Sequence, residues 1–326
     1  VVNSYQWSNG TAAYAGAVTW GDGTKGVTGP VSSSNSLVGA TKNDQVGMGG
    51  TDNYYPSYYY GYNNDYVYRN GVTALTNGNY VVNSCSWSNG TATYAGAVTW
   101  GDGTKGVTGP VSSSNSLVGT TKDDNLGNRG ITTLTNGNYV IASSYWDNGT
   151  VVNAGAVTWG DGDTGITGAV SSSNSLVGTT KDDYIGYDGI TALTNGNYVI
   201  ASSYWDNGAV VNAGAVTWGD GTKGVTGPVS SSNSLVGTNT NDSVGALGAY
   251  NYYGYSRRTS ITALNNGNYV VASPYWNNGA ATRAGAVTWG SGATGISGAV
   301  SSTNSLVGTT KDDQVGYGGV TALTDN

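Results

Sequence analysis

The chain has 326 residues, with 19 acidic residues against 12 Lys and Arg; every acidic residue is Asp, and His and Phe are absent. The missing imidazole removes the usual general base and the Ser-His-Asp and Cys-His relays, and a net charge of −7 argues against a nucleic-acid partner. No stretch approaches the ~18 consecutive apolar residues of a spanning helix, while 10 Trp and 25 Tyr supply buriable area that disordered chains lack.

The chain opens inside an apolar run, Val1-Val2, as a mature or excerpted segment would, with no initiator Met or signal peptide. The phrase Ala-Gly-Ala-Val-Thr-Trp-Gly then occurs five times, with its Trp at Trp20, Trp100, Trp159, Trp218 and Trp289. A second Trp keeps step at Trp7, Trp87, Trp146, Trp205 and Trp276, so the two series use all ten. The basic period is 59 residues, and repeats are placed at about 1–77, 78–136, 137–195, 196–266 and 267–326, forming a single five-repeat domain over 1–326. Tyr-rich insertions at 51–70 and 246–260 lengthen the first and fourth repeats.

Within one repeat the elements follow in order. Ile131-Leu134 is a short β-prone run, and Thr135-Asn136-Gly137-Asn138 is an Asn-Gly hairpin turn that needs the positive φ these residues tolerate. Tyr139-Ser143 is the next strand, and a polar loop carries Trp146-Asp147-Asn148-Gly149. Ala154-Trp159 forms a third strand, Gly160-Asp161-Gly162 turns the chain, and the segment from Val170-Ser173 to Ser175-Val177 supplies a fourth. Helical spacing of apolar residues is absent from the repeat. Four short strands per ~59 residues is the size of a propeller blade. The expected fold is therefore all-β, a β-propeller of five four-stranded blades. Leu323-Thr324-Asp325-Asn326 stops inside a turn that Val1-Val2 resumes, so the N- and C-terminal strands would pair and close the ring. A segment of a longer β-repeat array fits the same register.

The succession Ala95-Gly96-Ala97-Val98-Thr99-Trp100, Ser116-Leu117-Val118-Gly119, Asp124-Asn125-Leu126-Gly127 and Gly137-Asn138-Tyr139-Val140-Ile141 resembles bacterial filamentous-haemagglutinin-like surface repeats of unknown function. In the order of its elements it is also similar to the FG-GAP repeats of integrin-α-type β-propellers. The first resemblance implies an extracellular or cell-surface location. The second implies calcium at hairpins that carry alternating Asp, but Thr135-Asn136-Gly137-Asn138 has no carboxylate, and integrin-type rings usually have seven blades.

Asp44, Asp124, Asp183, Asp242 and Asp313 recur in the pattern Asp-x-(Val/Leu/Ile)-Gly, and turn-stabilising acceptance of backbone N–H groups explains them; calcium is the alternative. No catalytic residue, resident metal or other cofactor is expected. Trp20 and its counterparts should pack between blades, and Trp7 and its counterparts should cap blade edges or stack on a sugar. Asn9, Asn89 and Asn148 lie in Asn-Gly-Thr acceptor patterns for N-linked glycan. The ligand or interface candidates are Tyr54, Tyr55, Tyr58, Tyr59, Tyr60 and Tyr62 in one insertion, and Tyr250, Tyr252, Tyr253, Tyr255, Arg257 and Arg258 in the other. Tyr offers rigid contact area and Arg adds cation–π reach. The expected function is a non-enzymatic extracellular repeat protein, a structural or self-assembling component of a cell surface or fibre whose partners are copies of itself. An adhesin that binds glycans or surface proteins through the insertions is the alternative. Neither nucleic-acid binding nor membrane insertion is expected.

Overall fold

The computed structural model describes residues 1–51, 68–246 and 260–323. Among the described residues there is no helix, and each of the five repeats is built on one sheet of four or five strands.

The sheet built on the fourth repeat, whose first strand comes from the end of the third, shows the plan. Gly189–Ala192 and Tyr198–Ser202 form a hairpin across Thr194-Asn195-Gly196-Asn197, where Gly196 takes φ 89°. Ala215–Gly219 pairs antiparallel with Tyr198–Ser202, and Ser234–Val236 pairs antiparallel with Ala215–Gly219. Gly219 stands opposite Tyr198, and a Cβ there would lie 2.2 Å from the Tyr198 ring, so the residue after the strand Trp leaves room for the buried phenol. Thr217 and Ser234 are both buried and satisfy each other through a hydroxyl pair at 2.7 Å.

The chain divides into two compact units, Val1–Ile131 with Asp161–Val170, and Thr132–Gly160 with Ser171–Asn326. In the first, one sheet runs Val2–Ser4, Ala17–Thr19, Ser36–Val38, Gly109–Pro110, and another runs Val72–Ala74, Tyr80–Ser84, Ala97–Gly101, Ser116–Val118, Gly168–Ala169. Their apolar faces meet in a core that includes Val18, Leu37, Tyr80, Trp87 and Val118. A separate ribbon, Met48–Thr51 with Tyr68–Asn70, brackets the first insertion. In the second unit, Tyr139–Ser143, Ala156–Gly160, Ser175–Val177 and Gly227–Pro228 run in the same order, the fourth repeat follows the plan above, and the fifth has Ile261–Ala263, Tyr269–Ser273, Ala286–Gly290 and Ser305–Val307. Its cores centre on Leu134, Ile185, Tyr198 and Trp205 and on Leu193, Val216, Tyr269 and Trp276.

Two expectations are corrected. The pairing of N- and C-terminal strands that would close a ring is not formed: residues 320–323 lie in no strand, and Val2–Ser4 pairs only with Ala17–Thr19 among the described residues. Secondly, Val170-Ser173 is not strand. The additional strand is the two-residue Gly168–Ala169, which pairs in parallel with Leu117-Val118 of the preceding repeat. Gly and Pro weaken a strand signal, so this element is invisible to a propensity reading.

Candidate functional site

The most regular assembly of polar groups lies at the junction between successive repeats. Gly109–Pro110 pairs with Leu37-Val38, Gly168–Ala169 with Leu117-Val118, Gly227–Pro228 with Leu176-Val177, and Gly298–Ala299 with Leu235-Val236. In each case the later repeat adds a parallel strand to the edge of the earlier one. The next residue extends the ladder, Val229 N–H donating to the Val177 carbonyl at 3.1 Å and Val300 N–H to the Val236 carbonyl at 3.0 Å. The strand Trp of the earlier repeat then clamps the later one. Indole Nε1 of Trp20, Trp100, Trp159 and Trp218 donates to the carbonyls of Gly103, Gly162, Gly221 and Gly292 at 2.9–3.0 Å. From the Asn-Gly hairpins, Asn77 and Asn79 donate to Gly162, Asn136 and Asn138 to Gly221, and Asn195 and Asn197 to Gly292, each at 2.8 Å. Three neutral donors thus converge on one carbonyl, with no ion pair needed.

The recurrent Asp completes the junction, as its turn reading expects. Asp183 accepts from the N–H groups of Thr179 and Thr180 and, across the junction, from that of Asp206 at 2.9 Å. Burial outweighs these donors and pushes its carboxyl up to about 6. Asp44 receives Ser88 N–H, and Asp242 receives Asn277 N–H, in the same way. In the Gly-Asp-Gly turns, the Thr104 and Thr222 hydroxyls hold Asp102 and Asp220 below the usual carboxylate range, and the Thr24 N–H does so for Asp22. No group of three potential metal-ligating side chains forms among the described residues.

These junctions recur because the sequence recurs. The family model Repeat of unknown function (DUF5650) matches residues 1–48, 74–128, 133–187, 192–246 and 263–317. The chain belongs to this repeat family. The insertion at 51–70 falls between DUF5650 repeats, and the one at 246–260 shares only its first residue with a match. No curated protein matches the chain.

The insertion candidates, Tyr54 to Tyr62 and Tyr250 to Arg258, lie outside the described residues. The glycan acceptor positions have a local role: Asn9, Asn89 and Asn148 donate through Nδ2 to the carbonyls of Gly39, Gly119 and Gly178. Asn207 and Asn278, which lack the Thr of the acceptor pattern, make the same bond to Gly237 and Gly308. Trp87, Trp146, Trp205 and Trp276 are buried and do not offer a face for sugar stacking.

One aromatic group escaped the sequence reading. Tyr184 packs 5.9 Å from Tyr145, 5.9 Å from Tyr187 and 5.8 Å from Tyr204, and Tyr187 meets Tyr204 edge-on at 5.1 Å. Burial first, and then Asp182 beside it, push the Tyr184 hydroxyl up to about 12, so it stays a neutral phenol. Tyr204 is 41% exposed. Tyr187 follows the Asp183-Tyr184-Ile185-Gly186 turn, the point in the repeat at which the other Tyr-rich segments are inserted. A recess of about 220 Å³ lined by Trp20, Asp22, Val27 and Lys105 is smaller than an ordinary small-molecule pocket. Cys85 is buried and its thiol is raised to about 11, which makes it a poor nucleophile.

Proposed function

We propose that the chain is a non-enzymatic, extracellular structural repeat protein that self-assembles on a cell surface or in a fibre. The observation that carries this reading is the junction itself: every repeat from the second to the fifth adds one strand to its predecessor and offers a Gly carbonyl to its predecessor's Trp indole, joined in the last three by two Asn amides. A recurrent geometry spent on repeat-to-repeat docking suits a scaffold. The resemblance to filamentous-haemagglutinin-like surface repeats and to FG-GAP repeats supports an external location, with copies of the chain as partners and no role for nucleic acid or membrane insertion. Negative-stain imaging of the purified chain tests it, with filaments or ordered arrays as the expected outcome and dispersed single particles as the outcome that overturns it.

A second reading, an adhesin for glycans or surface proteins, rests on the clustered Tyr145, Tyr184, Tyr187 and Tyr204 together with the Tyr-rich insertions. Retention on glycan-coated beads distinguishes it from the first.

A further inference from the structure

The third repeat departs from the others at a position where the turn gains nothing from the change. The residue after the recurrent Asp is Gln45, Asn125, Ser243 and Gln314 in four repeats and Tyr184 in the third. All five have φ between 44° and 47°, a left-handed conformation that suits Asn better than an aromatic residue. What Tyr184 adds is contact. Its ring lies 5.8–5.9 Å from those of Tyr145, Tyr187 and Tyr204, and it is the one ring of the group that meets the other three. Tyr145 and Tyr187 belong to its own repeat, whereas Tyr204 belongs to the fourth. The contact therefore runs beside the junction bond in which the neighbouring Asp183 accepts from Asp206 N–H at 2.9 Å.

The hydroxyl end of Tyr184 is equally specific. Asn153 Nδ2 donates to Asp182 Oδ1 at 2.8 Å and to the Tyr184 hydroxyl at 3.2 Å, which brings phenol and carboxylate together on one amide. The phenol in turn donates to Asp182. A neutral phenol gives up an electron readily only if its proton can leave at the same time, and Asp182 is a base already hydrogen-bonded to that proton. Tyr204 is exposed, so it has room to turn its ring. The single Cys and single Met of the chain, the side chains that most readily consume an oxidant, are both buried at Cys85 and Met48.

We infer that Tyr184 is a one-electron oxidation site, with Asp182 as its proton acceptor, and that it couples to Tyr204 in a dityrosine bridge between the third and fourth repeats. The oxidant is hydrogen peroxide acting through a haem peroxidase, supplied from outside the chain. Each phenol loses one electron and one proton, the Tyr184 proton passing to Asp182 and then to water. The two radicals join through the ring carbons next to their hydroxyls, and each ring regains aromaticity by returning the hydrogen of the joined carbon to its oxygen. One peroxide is reduced to two waters for each bridge formed. The product is a covalent clamp at a junction otherwise held by hydrogen bonds and packing.

Peroxidase and peroxide added to the dilute 326-residue chain at neutral pH should give dityrosine fluorescence, a loss of two hydrogen atoms per bridge from the intact mass, and fragment ions that join residue 184 to residue 204. Tyr184→Phe and Tyr204→Phe should each abolish that link while links formed elsewhere persist. Asp182→Asn fits the turn, because Asn43 and Asn241 hold the same position in two other repeats and Asn241 accepts from Asn212 at 3.1 Å as Asp182 does from Asn153. It should slow the 184–204 link by roughly tenfold or more at neutral pH. That deficit should vanish above the ordinary phenol value of ~10, where a phenolate needs no proton acceptor. Links found only at other tyrosines overturn the inference, as does a 184–204 link that forms equally fast in Asp182→Asn at neutral pH or in the chain unfolded by urea.

Discussion

The indole N–H of Trp218 donates to the carbonyl of Gly292, 74 residues later in the chain, at 3.0 Å. That bond joins the fourth repeat to the fifth, whereas the Trp289 indole is exposed and has no acceptor among the described residues. Trp218→Ala should therefore lower stability by about 2–3 kcal/mol, through lost apolar contact and a lost hydrogen bond. Trp289→Ala, measured at concentrations low enough to keep the chain monomeric, should change it by no more than about 0.5 kcal/mol. Urea unfolding of both variants checks the contrast, and equal losses would show that the exposed Trp is packed in solution.

Asp183 gives a pH dependence of defined sign. Its folded carboxyl titrates at about 6, above the ordinary unfolded value of ~3.9. The folded state therefore binds the proton more tightly, and the stabilisation is fully present below pH ~4 and lost as pH rises through 6. The loss is on the order of 2–3 kcal/mol at neutral pH. Asp22, Asp102 and Asp220 are shifted the other way, so their contribution is lost only as pH falls below the carboxylate range. Asp183→Asn should flatten the fall in urea midpoint between pH 4 and 7; an unchanged slope would assign that fall to another group.

Close approach and backbone conformation separate two kinds of glycine. A Cβ on Gly178 would stand 2.2 Å from the Ala154 carbonyl oxygen and 2.8 Å from Asp183 Cβ, so Gly178→Ala forces backbone to move and should cost about 3 kcal/mol. Gly149 has open space around it but φ +64°, so Gly149→Ala should cost about 1 kcal/mol from conformation alone. Thermal melts of the two variants test the order, and a reversal would mean that the Gly178 turn relaxes freely.

Much of this was legible from period and turn chemistry. Tyr139–Ser143 is a strand at the expected bounds, Ser175–Val177 is the part of the expected fourth strand that forms, and Asn136-Gly137 turns the hairpin, because β-branched runs and Asn-Gly act locally. Asp183 as a turn acceptor was readable from its recurrence, but its third donor, Asp206 N–H, comes from the next repeat and leaves no local trace. The same holds for Gly168–Ala169, whose strand character is conferred by Leu117-Val118 rather than by its own residues. Tyr145 and Tyr204 hold the same position of successive repeats, but Tyr184 has no Tyr at the matching positions of other repeats, so the group comes together only after folding.

The tyrosine cluster permits a test of the adhesin reading that the folded core does not confound. Tyr204 is the most exposed of the four and touches Tyr184 and Tyr187 by ring edges. Removing it should cost roughly 1 kcal/mol of aromatic pairing and leave the fold intact. Tyr58, Tyr59 and Tyr60 form the densest run in the first insertion, and they lie outside the five family matches. If these aromatics hold sugar rings, each contact is weak and retention comes from many copies on one surface. The combined variant Tyr58→Ala, Tyr59→Ala, Tyr60→Ala, Tyr204→Ala should then lose retention on glycan-coated beads, while its light-scattering series stays that of the parent chain. Loss of the oligomer series with glycan retention unchanged would instead make these tyrosines subunit contacts, and the adhesin reading would lose its support.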